Sequence, residues 1–237
     1  DYRAEGDGRV EFKVIKGGSQ PDISLLVELN DGIFKRKEES QAFIENVHIL
    51  LQAVSRNVTL KQNENLKKGV PDVDLNLKIL SATVQNMNVY NQYLPPASPL
   101  RFTEGKADLS ADIQLRADDA QGYVRLITRD LQAQVDEQAA SGVLSAEIKL
   151  AGGSPQDMKF DINGSSIKLD KVRVSGETKS FGDDDWSANI RLSRGKTVWR
   201  KPIQLDMEAK IDMSDSIPLV SMMVNKKGKE TWLSKAL

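Results

Sequence analysis

The chain has 237 residues with 33 basic and 34 acidic side chains, so its formal net charge of −1 offers no field that would attract nucleic acid or an anionic membrane. It contains no cysteine, which excludes disulfides, a thiol nucleophile and thiolate metal sites. Aromatic residues make up only 5%, too few for the base-stacking platforms of a single-stranded nucleic-acid binder, and we expect no nucleic-acid partner.

The first part of the chain predicts two strands joined by a turn. Apolar and polar residues alternate over 9–15 and 23–29, and this period of two indicates strands with one apolar face. Residues 17–21, with two glycines and a proline, have the composition of a turn, so the two strands are expected to pair as a hairpin. The sequence Asn-Asp-Gly at 30–32 predicts a second turn.

The segment 40–56 fits both a helix and a strand. A helical stripe, with Ser40 as its cap, is formed by Phe43, Ile44, Val47, Leu50, Leu51 and Val54. A strand face is formed equally well by Val47, Ile49, Leu51 and Ala53. We favour the strand, because the neighbours on both sides are predicted strands. Alternation then continues over 73–89, with a kink expected near Ser81.

The best candidate for a boundary is the proline-rich stretch 90–99. Pro95, Pro96 and Pro99 cannot donate to a sheet ladder, so the stretch is expected to be a surface crossing or a linker. We therefore predict an N-terminal β-strand section over 1–95 and a C-terminal β-meander section over 96–237. The two sections are expected to belong to one continuous sheet or body.

Nine further strands are predicted in the second section, separated by short turns rich in Gly, Asp and Asn. They cover approximately 105–115, 122–128, 131–136, 142–150, 159–163, 166–169, 171–175, 186–192 and 202–213. Only 218–225 and 232–237 are candidates for a short helix. The predicted fold class is all-β, a predominantly antiparallel curved sheet with few helices.

These strands leave one apolar face to be covered. It can pack against a second sheet, against another part of the same sheet, or against something apolar from outside. A closed β-sandwich and an open groove both meet this requirement, and composition does not separate them. The residues predicted to line the groove and face lipid are Leu109, Ile113, Leu115, Leu144, Ile148, Leu150, Ile190, Leu192, Leu205, Met207 and Ile211.

The sequence predicts neither a catalytic site nor a metal site. His48 is the single histidine, and its polar neighbours indicate an outward-facing surface side chain. The acidic run 183–185 lacks the alternating ligands of a calcium loop and predicts a solvated turn, and Gly152 with Gly153 predicts another turn rather than a phosphate loop. We expect no enzymatic activity, no cofactor and no metal.

Three phrases of the sequence carry a resemblance to a known family. They are YNQYLPP at 90–96, SPLRFTEGKADLSADIQL at 98–115 and FDINGSSIKLDKVRVSG at 160–176. Their style, a glycine followed by an alternating strand and small residues, resembles the AsmA-like and TamB-like envelope proteins of Gram-negative bacteria. The resemblance extends over about residues 70–213 and is one of style, because the family has no catalytic signature to match.

That resemblance implies a periplasmic β-groove, anchored to the inner membrane by a region N-terminal to the groove, that moves phospholipid between membranes or assists outer-membrane assembly. We therefore expect a non-enzymatic domain that binds or conducts lipid, with lipid or other envelope protein segments as partners. The alternative is a structural or protein-interaction β-sandwich of a cell-envelope protein. Because the sequence starts at Asp1 in mid-pattern, we expect a mature form or an excised piece of a longer protein.

Overall fold

The computed structural model describes residues 2–17, 20–36, 42–56, 73–94, 98–116, 119–176, 180–199, 204–218 and 220. Within these residues, thirteen strands form one antiparallel sheet that is curved and open. The prediction of an all-β, antiparallel, curved open sheet with few helices is confirmed. The alternative, a closed sandwich of two sheets, is not what the described strands form.

The strands are long and follow one another closely. In chain order they are β1 Tyr2–Gly17, β2 Gln20–Arg36, β3 Ala42–Ser55, β4 Val73–Val84, β5 Leu100–Arg116, β6 Asp119–Val135, β7 Gln138–Leu150, β8 Gly152–Ser154, β9 Lys159–Asp161, β10 Ser166–Ser175, β11 Ser180–Phe181, β12 Ser187–Val198 and β13 Gln204–Met213. A 3-10 helix, Met87–Tyr93, lies between β4 and β5. Ile217, Pro218 and Val220 are also helical.

The topology is a meander. Strands β1 to β6 each pair with the next one along the chain, then β10 pairs with β7, β12 with β10 and β13 with β12. The short strands β8 and β9 form a hairpin, and β9 pairs with β12 beyond the point where β10 begins. Among the described strands, β1 and β13 are therefore the two long outer strands of the sheet.

Several elements agree with the sequence predictions. In the ambiguous segment 40–56, Ala42–Ser55 is strand β3, as favoured, and residues 40 and 41 lie outside the described residues. Residues 9–15 pair with 23–29 as the predicted hairpin. The expected kink near Ser81 is a register shift between Ile79 and Ala82. The acidic run 183–185 is an exposed turn before β12. The predicted helix over 232–237 lies outside the described residues.

Other predicted turns and strands are wrong. The Asn-Asp-Gly sequence at 30–32 does not turn the chain, because β2 continues through it as a bulge. Alternation after β4 does not make a strand, because Asn86 caps a 3-10 helix by accepting a hydrogen bond from the Asn88 amide (3.0 Å). Gly152 and Gly153 lie in β8, and the turn follows at 155–158.

The 3-10 helix contains the first residues of the proline-rich stretch 90–99, whose residues 95–97 lie outside the described part of the chain. Tyr90 packs against a buried cluster instead of crossing a free surface, and β4 pairs directly with β5 on the two sides of the stretch. The Asn91 side chain ties the helix to β5, donating to the Phe102 carbonyl and accepting from the Phe102 amide, both at 2.7 Å. The division into sections 1–95 and 96–237 stays a prediction.

Bulges keep the apolar residues on one side of the sheet. Asp31, Asn46, Asp130 and Lys171 have positive φ angles of 51°, 53°, 50° and 54°, and each lies at a register shift, in β2, β3, β6 and β10 respectively. Each bulge changes the phase of the alternation, so the predicted pairs of strands 122–128 with 131–136 and 166–169 with 171–175 are single strands. Bulges also increase local twist, which contributes to the curvature of the sheet.

Two buried clusters lie at the same end of the sheet. One contains Val84, Met87 and Ala107, and the other contains Val172, Val174, Trp186 and Ala188. Strands β4 and β10 run in the same direction and both finish there, so we name this the capped end. The opposite end, where β4 and β10 begin, is the open end.

Candidate functional site: the apolar face of the sheet

The strand register carries apolar side chains across the sheet in continuous rows. Phe12 pairs with Leu25, Leu25 with Ala53, Ala53 with Leu75, and Leu75 with Leu115. Residues directly opposite each other in an antiparallel pair lie on the same face, about 5 Å apart. These five side chains therefore form one row over five strands, and we name this side of the sheet the aliphatic face.

The same face continues through the second half of the chain. Ala146 pairs with Ile167, Ile167 with Ile190, and Ile190 with Ile211, which brings the row to the outer strand β13. Leu126 of β6 pairs with Ala146 and so links this row to the middle of the sheet. The aliphatic face therefore extends from β1 to β13 without a change of side.

The structure brings the predicted lining residues together on this face. The register places on it Leu109, Ile113, Leu115, Leu144, Ile148, Leu150, Ile190, Leu192, Leu205, Met207 and Ile211. Ile148, Leu205, Met207 and Ile211 are exposed, with relative exposures of 40%, 53%, 56% and 43%. The others are half-buried by their neighbours within the sheet. Their role in facing lipid stays a prediction.

The first half of the chain supplies face residues that the prediction left out. Val10, Phe12 and Val14 of β1 are among the exposed large hydrophobic residues, and Leu51 and Leu77 pair with each other in the middle of a row. The alternation over 9–15 and 47–53 was the signal that could have identified them. The sequence does not give the strand register, which places the apolar residues of both halves of the chain on one face of the sheet.

Gly122 leaves a gap between larger side chains in the middle of the aliphatic face. Gly122 lies between Ile113 and Leu150 in its row, with a φ of 140°. A Cβ atom there would meet the Asp112 carbonyl oxygen at 2.0 Å and the Ile113 Cα at 2.8 Å. Only glycine fits this backbone, so the face keeps a gap between two large side chains.

The opposite side of the sheet is polar and carries ion pairs. Lys78 Nζ lies 3.2 Å from Asp112 Oδ2, and Arg173 contacts Asp184 at 2.8 Å. Arg129 pairs with Asp108. The register places both Asp108 and Asp112 on this polar face. Each carboxylate is matched to a cation, which is the arrangement of a solvated strand surface.

The Arg125–Glu147 pair joins β6 to β7 on this polar side, with Arg125 Nη2 at 2.6 Å from Glu147 Oε2. Its hydrogen bond lowers the pKa of Glu147 and raises the pKa of Arg125. Both shifts keep the two groups charged. The pair therefore serves as a surface tie between the two strands and provides no proton for catalysis.

His48 joins two bulges on the polar side. Its Nδ1 lies 2.8 Å from Ser81 Oγ, and its Nε2 lies 3.4 Å from Asp31 Oδ1. These are the residue types of a hydrolytic triad, but Ser81 donates its proton to the Asn46 carbonyl at 3.0 Å, and the group lies on an open strand surface. The geometry fits a structural tie between β2, β3 and β4.

Comparison of the chain with protein-family models, curated proteins and solved structures found no match. Within the described ranges, no helix has the length and apolarity needed to span a membrane. The same residues contain no group of three or more His, Asp or Glu side chains placed to hold a metal ion. The candidate site is therefore defined by the geometry of the aliphatic face.

Proposed function

We propose that this protein is a non-enzymatic lipid-binding domain of the bacterial cell envelope, in which the aliphatic face holds acyl chains. The observation that carries the proposal is the continuity of that face across ten strand positions, with large aliphatic side chains exposed along it. A large exposed apolar surface on a folded protein marks a site of interaction.

The dimensions of the face suit acyl chains. Ten neighbouring strand positions, spaced at about 4.8 Å, give a face roughly 43 Å wide. The hydrocarbon core of a bilayer is about 30 Å thick, so the acyl chains of one leaflet span about 15 Å. The face is thus longer than one acyl chain, which supports movement of lipid along it as well as binding.

The chemistry of the face also suits a hydrocarbon ligand. Its central rows contain Leu, Ile, Val and Ala, and the backbone polar groups between them are paired in the sheet. Burying a methylene group against such a surface contributes about 0.8 kcal/mol without a specific polar contact. The face is therefore able to bind different acyl chains with little discrimination.

The resemblance to AsmA-like and TamB-like proteins supports the cellular context of the proposal. It favours a periplasmic location, an inner-membrane anchor outside the given sequence, and a role in inter-membrane phospholipid transport or outer-membrane assembly. Lipid and neighbouring envelope protein segments are the partners that this context supplies.

Two isoleucines on neighbouring strands provide a matched test. Ile148 on β7 is 40% exposed on the aliphatic face, and Ile127 on β6 is 41% exposed on the polar side. We expect Ile148→Asp to reduce the retention of phosphatidylethanolamine at least tenfold, because a carboxylate interrupts the apolar rows. Ile127→Asp should retain lipid as the unchanged protein does.

The measurement is native mass spectrometry of protein purified without detergent and incubated with phosphatidylethanolamine vesicles. Far-UV circular dichroism checks that both variants keep the sheet. Absence of lipid from the unchanged protein, or an equal loss in both variants, would contradict the proposal. A loss confined to Ile148→Asp supports it.

A further inference from the structure

The two outer strands leave long edges unpaired within the described part of the chain. Strand β1 (Tyr2–Gly17) pairs only with β2, and β13 (Gln204–Met213) pairs only with β12. An edge strand presents a row of free N–H and C=O groups that can pair with another strand. Both edges also carry exposed aliphatic side chains, such as Val10 at 70% and Met207 at 56%.

Strand direction makes these two edges compatible with each other. The sheet has ten positions from β1 to β13, and neighbouring strands are antiparallel throughout, so β1 and β13 run in opposite directions. If β1 of a second copy lies beside β13, the new pair is antiparallel. The aliphatic faces of the two copies then lie on the same side, and the meander continues across the junction.

The charges of the two edges select one register. On the polar side, Lys13 faces Glu208, Glu11 faces Lys210 and Arg9 faces Asp212 when Phe12 is placed opposite Ala209. Each of these pairs joins opposite charges.

The neighbouring registers are unfavourable. A shift of two residues in one direction creates three pairs of like charge, Glu11 with Glu208, Arg9 with Lys210 and Asp7 with Asp212, against one pair of opposite charge, Lys13 with Asp206. A shift of two in the other direction places Lys13 opposite Lys210 and Glu11 opposite Asp212. Like charges directly opposite each other destabilise an antiparallel pair, whereas opposite charges stabilise it.

The aliphatic side fits the same register. It sets Val14 opposite Met207, Phe12 opposite Ala209 and Val10 opposite Ile211, so a large ring meets a small side chain. Within one copy, Glu11 bonds to Arg9 at 2.9 Å and to Lys13, and these contacts lower the pKa of Glu11. Such exposed pairs along one strand contribute little to stability, so replacing them with partners across the junction costs little.

We propose that copies of this chain associate head to tail, with β1 of one copy added to β13 of the next. The contact is heterologous, so each added copy presents another described strand edge and the assembly grows with concentration. The aliphatic face lengthens by one sheet width with every added copy. This association depends on edge geometry and charge and is independent of whether the face binds lipid.

The test is sedimentation velocity of the lipid-free protein over rising concentration at low salt. We expect the mean mass to increase with concentration and the increase to weaken as salt is added, because the edge charges are exposed. Lys13→Glu alone and Glu208→Lys alone should each remain monomeric. Glu137→Lys, in the exposed turn between β6 and β7, is the control and should associate as the unchanged chain does.

Mixing the two single variants provides the decisive step. In the mixture, β13 of the Lys13→Glu chain and β1 of the Glu208→Lys chain still form an unchanged junction, so pairs should form. Growth beyond pairs also requires the carboxylate introduced by Lys13→Glu to face the ammonium group introduced by Glu208→Lys, and this growth should return. A mixture that stops at pairs overturns the register, and an unchanged protein that stays monomeric at every concentration overturns the association. The single variants Arg9→Glu and Asp212→Arg, measured alone and then mixed, repeat this comparison at a second charge pair. Circular dichroism confirms that every variant is folded.

Discussion

The capped end and the open end of this sheet are built from the same alternating sequence, yet in the described part of the chain both buried clusters lie at the capped end. At the capped end, Val84 and Val174 are fully buried under residues that follow the strands. At the open end, Val14 on the same face is 57% exposed. Alternation creates an apolar face, and a few residues outside the strands decide which part of it is covered.

The covering elements are short. Met87 of the 3-10 helix covers one side of the capped end, and the segment after β13 covers the other, held by a bond from Trp186 Nε1 to the Asp215 carbonyl at 2.8 Å. Neither element reaches the open end among the described residues. Among the described residues, the buried clusters are therefore concentrated at one end of the sheet.

The largest expected difference between the two ends comes from their tryptophans. Trp186 is 4% exposed at the capped end, and Trp199 is 58% exposed at the open end, where its ring meets Phe160 at 5.7 Å. Trp186→Ala should lower the free energy of unfolding by about 3–5 kcal/mol, because it removes a buried ring and leaves a cavity. Trp199→Ala should cost about 1 kcal/mol, the size of an exposed aromatic contact.

Urea denaturation followed by circular dichroism measures both changes. Comparable losses in the two variants would show that the open end is as well packed as the capped end, which would contradict the comparison.

A smaller difference is expected between two valines of the aliphatic face. Val84→Ala should destabilise the protein by roughly 2 kcal/mol, since a fully buried side chain loses two methyl groups. Val10→Ala should change stability by less than about 0.5 kcal/mol, as expected for an exposed position. Thermal unfolding of the two variants side by side distinguishes them, and a large effect of Val10→Ala would indicate that β1 is covered.

The smallest effect is expected on the polar side of the sheet, where neither of the two buried clusters lies. Arg125 lowers the pKa of Glu147, so the pair stabilises the folded protein above the unfolded pKa of about 4.3 and this contribution is lost as pH falls through the lower folded pKa. Glu147→Gln should lower Tm by less than about 2 °C near neutral pH and by nothing in acid. A Tm difference that persists in acid would exclude the ion pair as its cause.

Much of this fold could be predicted because each strand has its own local signal. The alternation from Ala107 to Leu115 predicts β5, and the strand preference for 40–56 is correct because its neighbours are strands. The face residues of the second half could be named for the same reason, since a period of two identifies one side of each strand.

The register and the bulges could not be predicted. Asp130 and Lys171 are polar residues in polar surroundings, and in sequence they look like turns, so single strands were divided in two. Their bulges depend on contacts with neighbouring strands, which no local pattern contains. The cover of the capped end was missed as well, because Met87 continues the alternation of β4 and is told apart only by the cap at Asn86.

The meander also affects how the length of such a protein can vary. Each long strand from β1 to β7 contacts the strands next to it in the chain, so a hairpin removed or added between two of them would leave the pairing of the others intact. Adding two strands keeps the outer strands antiparallel, whereas adding one makes them parallel. We therefore expect relatives of different size to differ by whole hairpins, with the direction of both edges preserved.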